Sequence, residues 1–302
     1  MRILNEPSSG SLSMGDGESM GDGYADAAME LRRLDDYQSW QVRWGGTSVL
    51  IDPWLTDDPI GGSFNRQHRP GYIGGAVITQ EHVSAVLLCT GVSDHARPQT
   101  LSMFRDQTIL GPKGAVAVAR KVGCANTVRM RPGDEWVLPC PDGASLRITA
   151  TRTGFPLGLI AIGYLIEARD PQGRPGPRLW IDPHLPGSAQ AHTIQPIDLA
   201  LLPCHAVRAV VMPVTAGPAT IATVARTCQA PIVVATATDP RRDMNTWQRA
   251  LYRVRGGAEV LQAELGAACR VILMTPGDVM PVEQGSPRRS ARPEPTLPPG
   301  SV

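Results

Sequence analysis

The chain of 302 residues has almost no net charge, because 29 Lys and Arg stand against 28 Asp and Glu and leave a formal +1. No global field draws it to nucleic acid or anionic lipid, so any partner must be recognised locally. It has no apolar run approaching the ~20 residues that a spanning helix needs. The N-terminal stretch also lacks the basic flank and apolar segment of a secretory signal. The cysteines (Cys89, Cys124, Cys140, Cys204, Cys228 and Cys269) form no CxxC pair, and several lie in apolar runs where a thiol packs as a small hydrophobe. These features predict a reducing, cytoplasmic setting without a membrane partner. A Walker loop, a GxGxxG turn after a strand and a GxSxG elbow are missing too, so nucleotide-binding and serine-hydrolase classes lose support.

What is present is a 42% hydrophobic chain, enough for one large α/β domain. Residues 1–36 are small, polar and repetitive, with Ser13 to Gly17 echoed by Ser19 to Gly23. That stretch predicts a structureless leader, since it buries too little apolar area to offset its ordering entropy. Its Asp/Gly pattern lacks the spacing and closing Glu of a calcium loop. Residues 284–302, rich in Pro, Ser and Arg, predict a structureless tail, which leaves 37–283 as the folded domain.

Within that domain, alternating residues on either side of Gly45-Gly46 predict a hairpin from Trp40 to Ile51. Strands are predicted at Ala85 to Cys89, Trp136 to Leu138, Leu146 to Ala150, Gly163 to Glu167, Leu179 to Ile181, Leu199 to Leu202, Ile232 to Val234 and Val271 to Leu273. Helical spacing appears over Ala115 to Val122 and Pro218 to Cys228, again from Asn245 through Trp247, Leu251 and Val254, and around Val260 to Leu265. Hairpins first and alternating strands and helices later predict a layered α/β sandwich.

The segment Leu87-Leu88-Cys89-Thr90-Gly91-Val92-Ser93-Asp94-His95-Ala96-Arg97-Pro98 is an apolar strand running into a loop that ends in Asp-His. It resembles the HxHxDH loop of the metallo-β-lactamase superfamily, with Thr90 and Val92 in place of the first two histidines. Other stretches follow in the superfamily's order. Trp44 to Leu55 resembles its opening hairpin with a DPWL-type end, Gly163 to Ile166 its GY(L/V)I strand, and Trp180-Ile181-Asp182-Pro183-His184 its loop with an acid followed by Pro-His. The resemblance is closest to a degenerate branch of metal-dependent hydrolase-like proteins, and it implies a four-layer αββα sandwich. The histidines expected near Arg152 to Phe155 and after Val234 are also missing, so the usual dinuclear zinc centre does not form.

Asp94, His95, Asp182 and His184 remain as candidate ligands, with His205 a further candidate. Two His and two Asp make an acceptable mononuclear site for zinc, manganese or iron. An open position there lowers the pKa of bound water toward ~7, and Asp94 doubles as general base. Each residue also has a structural reading. Asp94 can cap a helix near Pro98 or fasten its loop, and His95 and His184 can each be satisfied by a buried carboxylate. Asp182-Pro183 and Asp52-Pro53 read as turn formers. His68, His82 and His192 read as surface or loop residues. Cys204-His205 is adjacent in extended chain, where neighbours point to opposite faces, so a nucleophilic pair has little support. Arg241-Arg242, Arg249, Arg253 and Arg255 add local basicity, with Arg249 and Arg253 on one predicted helix face. No aromatic stacking pattern accompanies them, and nucleic acid is not expected as a partner.

The functional expectation is a hydrolase-like protein acting on a small-molecule ester, lactone or phosphoester through an atypical metal site. The alternative is a pseudoenzyme, without a metal cofactor, that serves as a binding or regulatory module.

Overall fold

The computed structural model describes residues 2–3, 28–56, 78, 83–236, 238, 240 and 246–285. In chain order the strands are β1 (Arg2–Ile3), β2 (Met29–Arg33), β3 (Trp40–Trp44), β4 (Thr47–Ile51), β5 (Ala85–Leu87), β6 (Thr108–Gly111), β7 (Thr127–Arg129), β8 (Glu135–Pro139) and β9 (Ser145–Arg152). The second half adds β10 (Ile162–Arg169), β11 (Pro175–Ile181), β12 (Leu199–Pro203), β13 (His205–Ala209), β14 (Met212–Thr215), β15 (Ile232–Thr236), β16 (Tyr252–Gly256), β17 (Arg270–Leu273) and β18 (Val279–Val282). The helices are α1 (Pro98–Leu101), α2 (Lys113–Lys121), α3 (Ser188–Ile194), α4 (Pro218–Thr227), α5 (Thr246–Leu251) and α6 (Ala258–Leu265).

One sheet runs β18-β2-β3-β4-β5-β6-β7 and the other β1-β17-β15-β12-β11-β10-β9-β8. Period-two geometry sends successive side chains to opposite faces, and here both faces are covered. Val49 and Ile51 of β4, with Leu199 and Leu201 of β12, meet in the core between the sheets. Leu50 and Val86 face outward to a second core that includes Leu101, Phe104, Ala115 and Ala119. On the far side, Trp180, Ala200 and Leu202 pack with Ile221, Val224 and Leu261. The order of layers is therefore helix, sheet, sheet, helix, as the sequence predicts. Strands covered on both faces read as continuous apolar runs, which is why β5, β11, β12 and β15 are visible in sequence.

The β3–β4 hairpin turns through Gly45 and Gly46, whose φ values of 53° and 76° are both left-handed. A two-residue turn of that hand matches the twist of the flanking strands, and glycine enters it without strain. Helix α4 opens with Pro218 in its first turn and buries Ile221, Ala222, Val224 and Ala225, consistent with proline's fixed φ and missing N–H.

Two expectations need correction. The leader is not structureless throughout, because Met29–Arg33 is a strand between β18 and β3 and Arg2–Ile3 pairs with β17. Met29 and Leu31 are fully buried, but charged neighbours mask the alternation. Arg33 is itself buried, its guanidinium donating to the carbonyls of Asp35 at 2.7 Å and Met274 at 2.5 Å. The helix predicted from Asn245 also ends sooner than its apolar spacing suggests. It stops at Leu251, and Val254 lies on β16, paired with Val207 of β13. Arg249 and Arg253 therefore do not share a helix face. The remainder of the leader, the tail from residue 286, His68, His82 and Arg241-Arg242 lie outside the described residues.

No helix among the described residues is long and apolar enough to cross a membrane.

A chain that starts at Tyr37 loses β2 and leaves β3 and β18 without their shared partner. We expect it to lose the cooperative thermal transition of the full chain, followed by circular dichroism.

Candidate functional site

The chemistry-bearing residues sit where strands end. Asp52 follows β4, Thr90 to His95 follow β5, Thr153 follows β9, Asp182 and His184 follow β11, Cys204 follows β12, and Thr236 closes β15. Strands β11, β12 and β15 are mutually parallel. Strand β9 runs the same way, being antiparallel to β10, which is antiparallel to β11. The ends of β9, β11, β12 and β15 therefore fall on one edge of their sheet; β4 and β5 are parallel to each other, and the stack of His95 on His184 brings their ends to that edge.

The centre of the site is a residue that sequence reading takes for a turn former. Asp52 is fully buried and holds a left-handed φ of 45°, a conformation in which Asp is enriched. One carboxylate oxygen accepts the Cys89 N–H at 2.8 Å, and the other meets His95 Nδ1 at 2.8 Å. His95 is buried as well. Its Nε2 lies 2.8 Å from Gln38 Nε2. With the amide nitrogen donating, Nε2 is the acceptor and the ring proton sits on Nδ1, facing Asp52. Both ring nitrogens of His95 are thus engaged by protein. Asp52 follows a strand and precedes Pro53-Trp54, and a carboxylate in such a buried strand end is the signal that points to this role.

Asp94 does not cap α1, whose N-terminus has no side-chain cap. Its carboxylate accepts the Tyr37 hydroxyl at 3.0 Å, and its carbonyl lies 3.4 Å from the Gln38 amide. The His95 ring stacks on His184, with centroids 4.8 Å apart and planes inclined by 24°. This stack bridges the two sheets. His184 differs from His95 in that its Nδ1 is buried without a hydrogen-bond partner among the described residues. Burial is the main reason its pKa falls to about 3, with neighbouring His95 adding to it and Asp52 and Asp94 opposing it. Asp182 is fully buried. One oxygen accepts the Thr153 hydroxyl and the His184 N–H, both at 3.0 Å, while Oδ2 has no partner among the described residues. Burial pushes its pKa up to about 7 despite those bonds.

At the two positions where the resemblance places the first histidines, Thr90 is buried and Val92 is exposed, and in the stretches where it expects the later ones Thr153 and Thr236 are buried. Thr153 serves Asp182, and the Thr90 and Thr236 hydroxyls have no partner among the described residues. Hydroxyls of this kind are poor ligands for zinc or iron compared with imidazole. Among the described residues, no three of the His, Cys, Asp and Glu side chains are placed to hold one metal ion. The donor set present does not fit the superfamily's metal centre.

Cys204 and His205 correct a different expectation. The chain turns between β12 and β13, and Cys204 Sγ lies 3.2 Å from His205 Nδ1. Burial nevertheless pushes the thiol up to about 12, so the pair is not an ion pair of thiolate and imidazolium near neutral pH. His192 is exposed, as expected, and its Nδ1 lies 3.1 Å from the Gln195 amide.

No family model matches this chain, and no curated protein sequence matches it. Solved structures do share its architecture. An isothiocyanate hydrolase from Delia radicum gut bacteria superposes with a TM-score of 0.63 at 16% identity, over 85% of this chain and 100% of that one. YhfI from Bacillus subtilis, a metallo-β-lactamase fold protein, gives 0.54 at 14%, over 85% and 100%. CmlA, a diiron β-hydroxylase from Streptomyces venezuelae, gives 0.61 at 14% over 85% of this chain, which spans only 55% of CmlA. The chain has the metallo-β-lactamase fold.

Two predictions follow from the buried network. Asp52→Ala leaves His95 Nδ1 and the Cys89 N–H without their acceptor, and should lower unfolding free energy by about 3–5 kcal/mol in urea titrations. The second concerns pH. Asp182 binds its proton more readily folded than unfolded, so its contribution is full below 3.8 and is lost as pH rises through about 7. His184 behaves oppositely, contributing fully above 6.5 and losing that contribution as pH falls toward about 3. Between these ordinary values the two slopes oppose each other. Asp182→Asn should make stability rise with pH there, and His184→Gln should make it fall, each by at most ~1.4 kcal/mol per pH unit.

Proposed function

We propose that this chain is a non-catalytic member of the metallo-hydrolase fold, acting as a binding or regulatory module rather than as a metal-dependent hydrolase. The observation that carries this reading is His95, held on both ring nitrogens by Asp52 and Gln38. A metal at Nε2 would have to displace the Gln38 amide. The chain where the resemblance expects histidines supports the same reading, since Thr90 and Val92 stand at the first two positions and the stretches 152–155 and 235–239 hold no histidine.

One observation favours the hydrolase reading instead. Asp182 Oδ2 and His184 Nδ1 are both buried and unpartnered, and unsatisfied polar atoms of this kind call for an explanation such as an ion. In that second reading Asp182 and His184 contribute to an atypical site for zinc, manganese or iron, with Asp94 and His95 as the remaining ligands. Its substrate would be an ester, lactone or phosphoester.

Metal content separates the two. After equilibrium dialysis of the chelator-treated chain against zinc, manganese or ferrous ion, we expect substoichiometric metal by mass spectrometry and no rise in melting temperature. One equivalent of metal that is lost in an Asp182→Asn/His184→Gln double variant would overturn the binding-module reading and support the hydrolase.

A further inference from the structure

A small third sheet, β14-β13-β16, stands apart from the two large ones, and its chemistry is not used by the site. Strands β13 and β14 are joined by Val210 and Val211. Tight turns normally take Gly, Asn or Asp, yet here Val210 holds a left-handed φ of 57°. That conformation is a true outlier for a β-branched side chain, and strain of this kind is kept where surrounding structure and function demand it. The strained turn presents apolar surface to water, with Val210 62% and Val211 83% exposed and Met212 and Leu251 exposed beside them. The Val210 N–H donates to the Leu251 carbonyl at 2.8 Å, so Leu251 is fixed next to the tip.

Behind this apolar tip the same sheet carries only positive charge. Arg208 lies directly opposite Arg253, and Ala206 opposite Arg255. The period of two places Arg208, Arg253 and Arg255 on one face. Like charges directly across a ladder are destabilising. A depression of about 330 Å³ is lined by Ala206, Arg208, Val210, Val211, Arg253 and Arg255, with no carboxylate among them. None of the three guanidinium groups makes a hydrogen bond or ion pair with any described residue; each is left to water or to an external anion.

We propose that the β13–β14 hairpin is a docking element for an anionic membrane surface. Val210, Val211 and Met212 enter the headgroup and acyl boundary, and Arg208, Arg253 and Arg255 bind lipid phosphates. Charge complementarity selects this occupant, because apolar tip and arginine ring together match the layered chemistry of a bilayer. A nucleic acid would use the arginines and leave the valines in water. A second copy related by two-fold symmetry would set arginine face against arginine face. The near-neutral net charge of the chain is no obstacle, because the attraction is local and acts within a Debye length. Hairpin β13–β14 grows from the end of β12, so docking would present the edge that carries the Asp52–His95 network. The loop that follows β9 also exposes Phe155 and Leu159.

The test is co-sedimentation of the full chain with vesicles of phosphatidylcholine and phosphatidylglycerol, set against pure phosphatidylcholine. Binding should require the anionic lipid and weaken as sodium chloride rises. Each of Arg208→Gln, Arg253→Gln and Arg255→Gln should reduce partitioning about fivefold, equivalent to about 1 kcal/mol. Val211→Asp should abolish partitioning while leaving the thermal transition in place, since that side chain is exposed in the folded chain. The proposal is overturned by absence of binding at low salt, by equal binding to neutral vesicles, or by a triple arginine variant that still partitions. It is equally overturned if Val211→Asp instead dissolves a dimer seen by analytical ultracentrifugation, or if the chain ignores vesicles and binds inorganic phosphate or RNA.

Discussion

The hydrogen bonds of Asp52 are the constraint on which the rest of the site depends. One carboxylate, aimed by a left-handed backbone at the end of β4, takes the Cys89 N–H with one oxygen and His95 Nδ1 with the other. It therefore joins the end of one strand to the loop that follows the next. Gln38, from the segment before β3, closes on the far nitrogen of His95. His95 then stacks on His184, which belongs to the opposite sheet. A buried pair of this kind gives little net stability over an apolar substitute, but losing one partner strands the other in low dielectric. Its value lies in fixing where four chain segments meet.

This arrangement changes what the surviving residues can do. In a metal-binding histidine, a carboxylate on one ring nitrogen usually orients the other toward the ion. Asp52 and His95 have that geometry, but the outward nitrogen meets an amide. Near it at the strand ends lie the buried side chains of Thr90, Thr153 and Thr236. The hydroxyls keep the strand ends polar and small without offering a soft nitrogen donor. Burial pushes the Asp182 carboxyl up to about 7 against the hydrogen bonds it accepts. The fold is that of metallo-hydrolases, while the polar centre is arranged as a hydrogen-bonded junction.

Surface and centre carry different kinds of information. The centre joins Asp52, His95 and Gln38 by short internal hydrogen bonds and leaves Asp182 Oδ2 and His184 Nδ1 without a partner among the described residues. The third sheet instead leaves three arginines, a strained Val210 and its neighbour Val211 open to water, against both electrostatics and turn preference. Features that work against local stability at one place on the surface point outward, to something that is not part of the chain.

Much of the fold was legible in the chain. Strands buried on both faces, such as Leu199 to Leu202 and Ile232 to Val234, announce themselves as apolar runs, and Gly45-Gly46 marks its hairpin through backbone freedom. Strand Met29–Arg33 was hidden because its buried alternation includes an arginine, and β16 because Val254 continues a helical spacing that pairing with β13 overrides. At the site, Asp94, His95, Asp182 and His184 could be picked out by type and order, and the loss of the usual ligands could be read residue by residue. The role of Asp52 could not, because Asp-Pro after a strand reads equally well as a turn; nor could the approach of Cys204 to His205, which depends on a change of chain direction between strands. The sequence by itself determined which elements form and which donor atoms exist, since both follow from local periodicity and side-chain type. Only the tertiary structure decided which of those atoms face one another. Partnership between Asp52, His95, Gln38 and His184 is a matter of distance across two sheets, and no local pattern encodes it.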